Sequence, residues 1–360
     1  MLHLILSMLI TFCFTICVIV YARPVAAHVG LVDLPNDRKN HEGNIPLIGG
    51  LAMIFGIVVG ILMLDISLAP YRVLLVAVAV MTFFSMLDDL HELSHKKRFI
   101  IQCFVAFVMV YFGHLLIFDL GNFLFWRDII LGSLNLPFTI IAIIAMINAM
   151  NMLDGLDGLM GSVALSQFIL LTILAWHVGR SNDAYFILII ISALLAFLCF
   201  NFPYKKQIKS KIFMGDVGSA SLGILISWFL ISLSQPPVKA ANPVVFLWVM
   251  AIPCFDLVSV MLRRLYNRKS PFKADHEHLH HLLKKSGLSN LTTVIVILII
   301  SLLFGLAGIS MSFAHVSESV MFVTLLGCFL GYMFVVNYRN LLPHTIRYFT
   351  QSEKRLQEES

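Results

Sequence analysis

Residues 136–176 read LPFTIIAIIAMINAMNMLDGLDGLMGSVALSQFILLTILAW. Two apolar runs, Leu136–Leu153 and Leu159–Trp176, are each close to the roughly 20 residues that an α-helix needs to cross about 30 Å of hydrocarbon. Between them lies a short turn with the carboxylates of Asp154 and Asp157. The stretch reads as two membrane helices joined by an acidic turn, and the pattern repeats outward in both directions. Further candidate spans are Leu4–Ala22, Ile45–Leu64, Val73–Leu87, Phe99–Phe118, Ala184–Phe200, Ser219–Leu233, Pro243–Leu262, Thr292–Phe313 and Val320–Val336, about eleven in all. The expected fold class is all-α, a polytopic membrane helical bundle. One integral membrane domain covers residues 1–338, and residues 339–360 form a tail.

An odd number of spans puts the termini on opposite sides and gathers every strongly polar patch on one side. Those patches are DLPNDRKNHEGNIP from Asp33, DDLHELSHKKR from Asp88, NAMNMLDGLDG from Asn148, NFPYKKQIKSKIFMGDVGS from Asn201 and RRLYNRKSPFKADHEHLHHLLKK from Arg263. They define loops at residues 23–44, 88–98, 151–158, 201–218 and 263–291. With the N-terminus outside, the outer loops hold only Arg72, Arg127, Arg180 and Lys239. Lys and Arg are retained on the cytoplasmic side, so the polar patches and the C-terminus are expected to face the cytoplasm and the N-terminus the periplasm. The first span has neither a basic leader nor a small-residue cleavage site, and reads as a retained helix.

A hydrophobic content of 59% agrees with one bundle in lipid. The net charge of +5 reflects orientation and attraction for anionic lipids or phosphates. No basic stripe interleaves with exposed aromatics, so no nucleic-acid partner is expected. Cys13, Cys17, Cys103, Cys199, Cys254 and Cys328 lie in or beside apolar runs without paired spacing and read as small hydrophobes.

Each patch has a plain reading and a chemical one. Asp88 and Asp89, taken as an isolated pair, read as solvated carboxylates at the end of a span. Asn151, Asp154 and Asp157 recur every third residue, which in a helix places them near one face. Uncompensated acids beside apolar flanks are costly, so a cation is expected there. Asp216, in Phe213-Met-Gly-Asp-Val-Gly-Ser219, is either a helix cap or the holder of a hard cation beside backbone N–H groups that face phosphate oxygens. Asn151 and Asp216 are oxygen donors, which suits Mg²⁺, an ion that takes few protein ligands. Arg263, Arg264, Arg268 and Lys269 with His278, His280 and His281 form either a solvated basic loop or a diphosphate grip. Asp256, inside a span, is either functional or paired with a neighbouring base, and Pro253 beside it predicts a broken helix.

His276-Glu277-His278-Leu279-His280 also matches H-E-x-x-H of zinc proteases, with Leu153-Asp154-Gly155 as a companion motif. That match lies in a polar loop, its motif order is reversed, and it leaves Asp88, Asp89 and Asp216 unexplained. A transporter predicts midplane polar residues and internal repeats; here the acids cluster at span ends on one side, and no repeat is visible.

Taken in order, GLVDLPNDRKNHEGNIPLIGG, DDLHE, NMLDGLDGL, FMGDVGS and RRLYNRKSPFKADHEHLHHLL resemble the polyprenyl-phosphate N-acetylhexosamine-1-phosphate transferase family, glycosyltransferase family 4. The likeness runs from Gly30 to about Leu283. The resemblance implies a bacterial cytoplasmic membrane enzyme that moves GlcNAc-1-phosphate from UDP-GlcNAc to undecaprenyl phosphate. Its product would start a lipid-linked envelope polysaccharide such as O-antigen. A sibling branch, which uses phospho-N-acetylmuramoyl-pentapeptide, carries three consecutive His where this chain has His278-Leu-His280-His281; the departure favours the GlcNAc branch. By residue matching, Asn151 and Asp216 hold Mg²⁺, with Mn²⁺ as a substitute, and Asp154 and Asp157 position the nucleotide and the metal shell. Phe213 lies near uracil, and Arg264, His278, His280 and His281 grip the diphosphate. Asp88 is cast in the family as a base for the lipid phosphate. A phosphate monoester with a second pKa of about 6 is already mostly dianionic at neutral pH, so Asp88 and Asp89 are expected to orient the acceptor or metal-bound water while Lys96, Lys97 and Arg98 hold the lipid phosphate. Membrane lipids are further partners, and a homodimer is compatible with the chain.

Overall fold

The computed structural model describes residues 2–33, 44–204, 212–268 and 278–337. Thirteen α-helices follow one another among these residues: α1 (Leu2–His28), α2 (Gly49–Leu62), α3 (Arg72–His91), α4 (His95–Tyr111), α5 (Asn135–Leu153), α6 (Leu159–His177), α7 (Ser181–Asn201), α8 (Gly215–Ser234), α9 (Pro243–Val249), α10 (Ala251–Tyr266), α11 (Leu279–Lys285), α12 (Asn290–Phe313) and α13 (Glu318–Asn337). The described strands are the short antiparallel pair β1 (Val32–Asp33) and β2 (Ile45–Pro46). The protein is an all-α polytopic membrane bundle. Eight of its described helical stretches are long and apolar enough to cross a bilayer, and the α9–α10 pair makes a ninth if taken as one bent span. Helix α2, with 14 residues, and α4, with 17, are shorter than a full crossing at 1.5 Å per residue.

Helix α8 is the centre. Nearly all of its side chains are buried, and it packs against α2, α3, α5 and α6. A helix that is apolar all round belongs in the interior of a bundle. By contrast α13, at the margin, exposes Val320, Val323, Leu326, Leu330 and Phe334, the composition expected of a surface that meets lipid.

Several boundaries differ from the sequence reading for local reasons. Helix α1 runs past Ala22 to His28 with Pro24 inside it. Ile45–Pro46 forms a strand rather than the start of a span, and α2 begins at Gly49. The expected span Phe99–Phe118 ends early, because α4 stops at Tyr111 and Gln235 takes over the backbone of the following segment. Its Oε1 accepts the Phe118 and Asp119 N–H groups at 3.0 and 3.2 Å. The break expected at Pro253 falls at Met250, where α9 and α10 meet at 81°. Proline has no N–H, so the first turn of a helix, where N–H groups are unpaired in any case, is where it costs least.

Contacts at one end of the bundle tie the start of α7 to Tyr71 and to the end of α8. Tyr71 donates its hydroxyl to Asp183 at 2.6 Å, Arg180 pairs with the same carboxylate at 2.5 Å, and the Arg180 guanidinium also reaches the Ser232 carbonyl. Asp183 opens α7 while Asn201 closes it, so the chain direction places the acidic patches at the opposite end.

At that end α2 meets α8. Gly49 and Gly50 donate to the carbonyls of Phe213 and Met214 at 3.0 and 2.9 Å. A Cβ on Gly50 would stand 2.1 Å from the Gly218 nitrogen, closer than any carbon can approach backbone. Gly50→Ala is expected to cost about 1–3 kcal/mol through forced separation of the two helices, read as a lower thermal unfolding midpoint in detergent.

Candidate active site

Helix α8 begins at Gly215 with no cap from its own chain neighbour Met214. Its first N–H groups are satisfied by Asp89 of α3 instead: Oδ1 accepts from Asp216 at 2.9 Å and Oδ2 from Val217 at 3.3 Å. A carboxylate at a helix N-terminus gains from both the unpaired donors and the helix dipole. The expectation that these N–H groups face phosphate oxygens is corrected for Asp216 and Val217, whose N–H groups Asp89 takes.

Asp88, the adjacent residue, is 6% exposed. Its Oδ1 accepts the Leu93 N–H at 2.7 Å, and its Oδ2 meets Arg98 Nε at 2.6 Å. The same guanidinium reaches Asp216 Oδ2 through a terminal nitrogen at 3.0 Å. Arg98 thus bridges two acids from different helices, a geometry that suits the planar guanidinium. Lys96 and Lys97, its neighbours on the first turn of α4, are exposed. Among the described residues, Arg98 is the member of the basic run that pairs with these acids.

Asn151 reaches Asp216 from the other side. Its amide nitrogen donates to Asp216 Oδ1 and to Ser219 Oγ, both at 2.9 Å. Residues 65 positions apart in sequence are therefore in contact. Asn151 belongs to the last turn of α5, which ends at Leu153, and Asp154 caps it with φ −79° and ψ 43°. The placement of Asn151, Asp154 and Asp157 along one helix face is corrected accordingly: a turn separates them, closed by Gly158 in the left-handed region at φ +76°. The turn still brings the acids together. Crowding by protein atoms, then the nearby carboxylates of Asp216, Asp157 and Asp33, push Asp154 up to about 7 although its side chain keeps an edge open to solvent. Asn201 fastens the turn, accepting the Gly158 N–H at 2.7 Å and donating to the Ile212 carbonyl at 2.9 Å. The sequence reading gave Asn201 no role; a lone amide closing an apolar span was its only signal.

This excess of negative charge suits a cation. Asn151 and Asp216 are in contact, and a half-turn of the Asn151 amide puts its oxygen beside the same carboxylate, so the pair fits a hard ion such as Mg²⁺. Among the described residues, no three His, Cys, Asp or Glu side chains form a ready-made metal cluster.

The histidines approach from α11. His278, His280 and His281 pack as a group, with the rings of His280 and His281 4.1 Å apart. His280 is 2% exposed, and among the described residues its Nε2 has no hydrogen-bond partner. A Cβ on Gly155 would fall 2.3 Å from that nitrogen, so the ring lies directly on the acidic turn. Arg264 is buried on α10, and Phe213 is half-buried with its backbone held by Pro46 and Gly49. Lys39, His41, Lys269, His276 and Glu277 lie outside the described residues, and with them two residues of the zinc-protease motif.

Burial, then His281 and His278, hold His280 down to about 3. In the unfolded chain a histidine takes a proton below about 6.5, whereas the folded protein refuses it until about 3. Stability from this group is therefore complete above about pH 6.5 and falls as the pH drops through that window. His280→Gln is expected to flatten the decline in unfolding midpoint between pH 7 and pH 5.

Residues 71–234, from α3 through α8, match the model of glycosyl transferase family 4. The undecaprenyl-phosphate alpha-N-acetylglucosaminyl 1-phosphate transferase of Escherichia coli K12 is 34% identical over 326 residues, 90% of this chain and 89% of the relative. The proteins of the same name from Haemophilus influenzae and Pasteurella multocida are 36% and 34% identical, each covering 98% of this chain and 99% of the relative. With likeness running from α1 to beyond α13 and the matched segment carrying Asp88, Asn151 and Asp216, the chain belongs to glycosyl transferase family 4.

Proposed function

We propose that the chain transfers GlcNAc-1-phosphate from UDP-GlcNAc to undecaprenyl phosphate, releasing UMP and starting a lipid-linked envelope polysaccharide such as O-antigen. The observation that carries this reading is the meeting of Asp88, Arg98, Asn151 and Asp216 at one end of the bundle, beside His280. The names of the relatives supply the donor sugar and the lipid. We place this end at the cytoplasmic face of a bacterial inner membrane, with about eleven crossings and the N-terminus outside, because retained Lys and Arg gather there.

In the reaction an oxygen of the lipid phosphate forms a bond to the β-phosphorus of UDP-GlcNAc. The bond from that phosphorus to the bridging oxygen breaks, and UMP departs with the electron pair. Phosphoryl transfer needs alignment and charge neutralisation more than covalent help. Asn151 and Asp216 would hold Mg²⁺, which supplies neutralisation of the diphosphate oxygens. Arg98 brings a fixed positive charge to the place where two phosphates must approach, and Lys96 and Lys97 extend that field to the membrane surface. Both oxygens of Asp88 are engaged, by Leu93 and Arg98, so its work is to hold the guanidinium rather than to take a proton from an acceptor already dianionic. Asp89 keeps Asp216 in place through the backbone of α8, while Asp154 and Asp157 order the nucleotide. The neutral His280, with Arg264, His278 and His281, completes the grip on the diphosphate, and Phe213 borders the base.

Purified protein given UDP-GlcNAc, undecaprenyl phosphate and Mg²⁺ is expected to release UMP and a lipid-linked sugar, and to stop on chelation. Turnover that survives chelation would remove Asn151 and Asp216 from their metal role. A preference for UDP-MurNAc-pentapeptide would assign the chain to the sibling branch. Arg98→Ala is expected to lower kcat/KM by about 100-fold, equivalent to roughly 2.7 kcal/mol of lost transition-state stabilisation.

A further inference from the structure

Asp256 lies in α10, outside the Asp88–Asp216 cluster, and is 2% exposed. Its Oδ2 is 2.8 Å from Nδ1 of His278. Its Oδ1 accepts the Leu279 N–H at 3.0 Å and the Tyr332 hydroxyl at 2.9 Å. Three separate elements therefore converge on one carboxylate: α10, the start of α11 and the last helix, α13. With Oδ1 held by two donors, the carboxylate cannot rotate away, and Oδ2 stays on the imidazole.

A carboxylate on Nδ1 makes that nitrogen the protonated one and turns Nε2 to the far edge of the ring. The His278 ring lies parallel to that of His280, with 2° between their planes and 5.7 Å between centroids. His280 in turn rests on Gly155 of the acidic turn. The orientation of His278 is thus passed by packing to the place where the diphosphate is gripped.

We propose that Asp256 and Tyr332 are positioning residues for the transfer reaction, holding His278 with Nδ1 protonated and Nε2 turned to the diphosphate of the nucleotide sugar. This rests on the transferase reading above. It gives α13, which lies beyond the matched segment 71–234, a part in catalysis through a single hydroxyl. Tyr332 touches neither substrate in this account; it acts only through Asp256 and then His278.

The alternative, that Asp256 merely fastens α11 to the bundle, predicts different behaviour under combined substitution. Residues that act as one unit are strongly non-additive. Tyr332→Phe, which removes one oxygen, is expected to lower kcat about 10-fold, at the small end of effects seen when a histidine loses its orienting partner. The KM for UDP-GlcNAc should change much less. In a His278→Gln background, where residual turnover is followed with radiolabelled donor, the same substitution should do nothing further. An equal loss in both backgrounds overturns the proposal. Nitrogen-15 spectra of histidine-labelled protein give a readout that does not depend on activity. The His278 signal, assigned from its disappearance in His278→Gln, should show a protonated Nδ1 in the unsubstituted protein and lose that preference in Asp256→Asn. A bare Nδ1 in the unsubstituted protein sinks the inference whatever the enzyme turns over. If the unsubstituted protein shows the protonated Nδ1 yet leaves UDP-GlcNAc untouched, the positioning pair stands and the proposed reaction falls.

Discussion

A helix buried on all sides has to find partners for the N–H groups of its first turn inside the protein. For α8 that partner is Asp89, and much of the site follows from this contact. Asp89 sits on α3 next to Asp88, so satisfying α8 also fixes how α3 ends. Asp88 then lies within reach of Arg98 on α4, and Arg98 returns to Asp216, the second residue of α8. The loop of contacts passes through three helices and closes on itself. Asn151 joins it from α5 through the other oxygen of Asp216. Substituting Arg98 leaves the buried Asp88 carboxylate without its cation, the costliest break in this loop because the other members keep some contact with solvent.

The acidic turn adds the second constraint. Asp154 is crowded by Asp216, Asp157 and Asp33, and carboxylates this close cannot all stay ionised without positive charge nearby. Arg98 supplies part of it. The remaining excess is what supports the proposed divalent ion and the proposed basic grip from α10 and α11 at this end of the bundle.

Much of this was legible from residue order alone. Apolar runs of membrane length located most of the helices, and the recurrence of patches rich in Asp, Asn, His and Lys at alternate junctions predicted that Asp88, Asn151, Asp216 and His280 would share one end. What stayed hidden depended on which groups a tertiary neighbour supplies. Nothing beside Asp89 in sequence says that it serves a helix more than 120 residues later. The spacing of Asn151, Asp154 and Asp157 imitates a helix face, yet the helix stops at Leu153 because the glycines that follow favour a turn. Segment 112–118 is apolar enough to continue α4, but Gln235 captures its backbone instead. Tyr332 falls inside the apolar run Val320–Val336 with nothing beside it in sequence to mark it, and the fold reveals the acid its hydroxyl meets.

The clamp of Tyr71, Arg180, Asp183 and Ser232 at the far end carries its own implication. Two hydrogen-bonding partners and an ion pair fasten the start of α7 to the residue before α3 and to the end of α8. Separating the helices there would take Tyr71 from Asp183, which is 6% exposed, and the Ser232 carbonyl from the Arg180 that pairs with that acid; a buried carboxylate stripped of a counterpart is costly enough to hold the three elements in register.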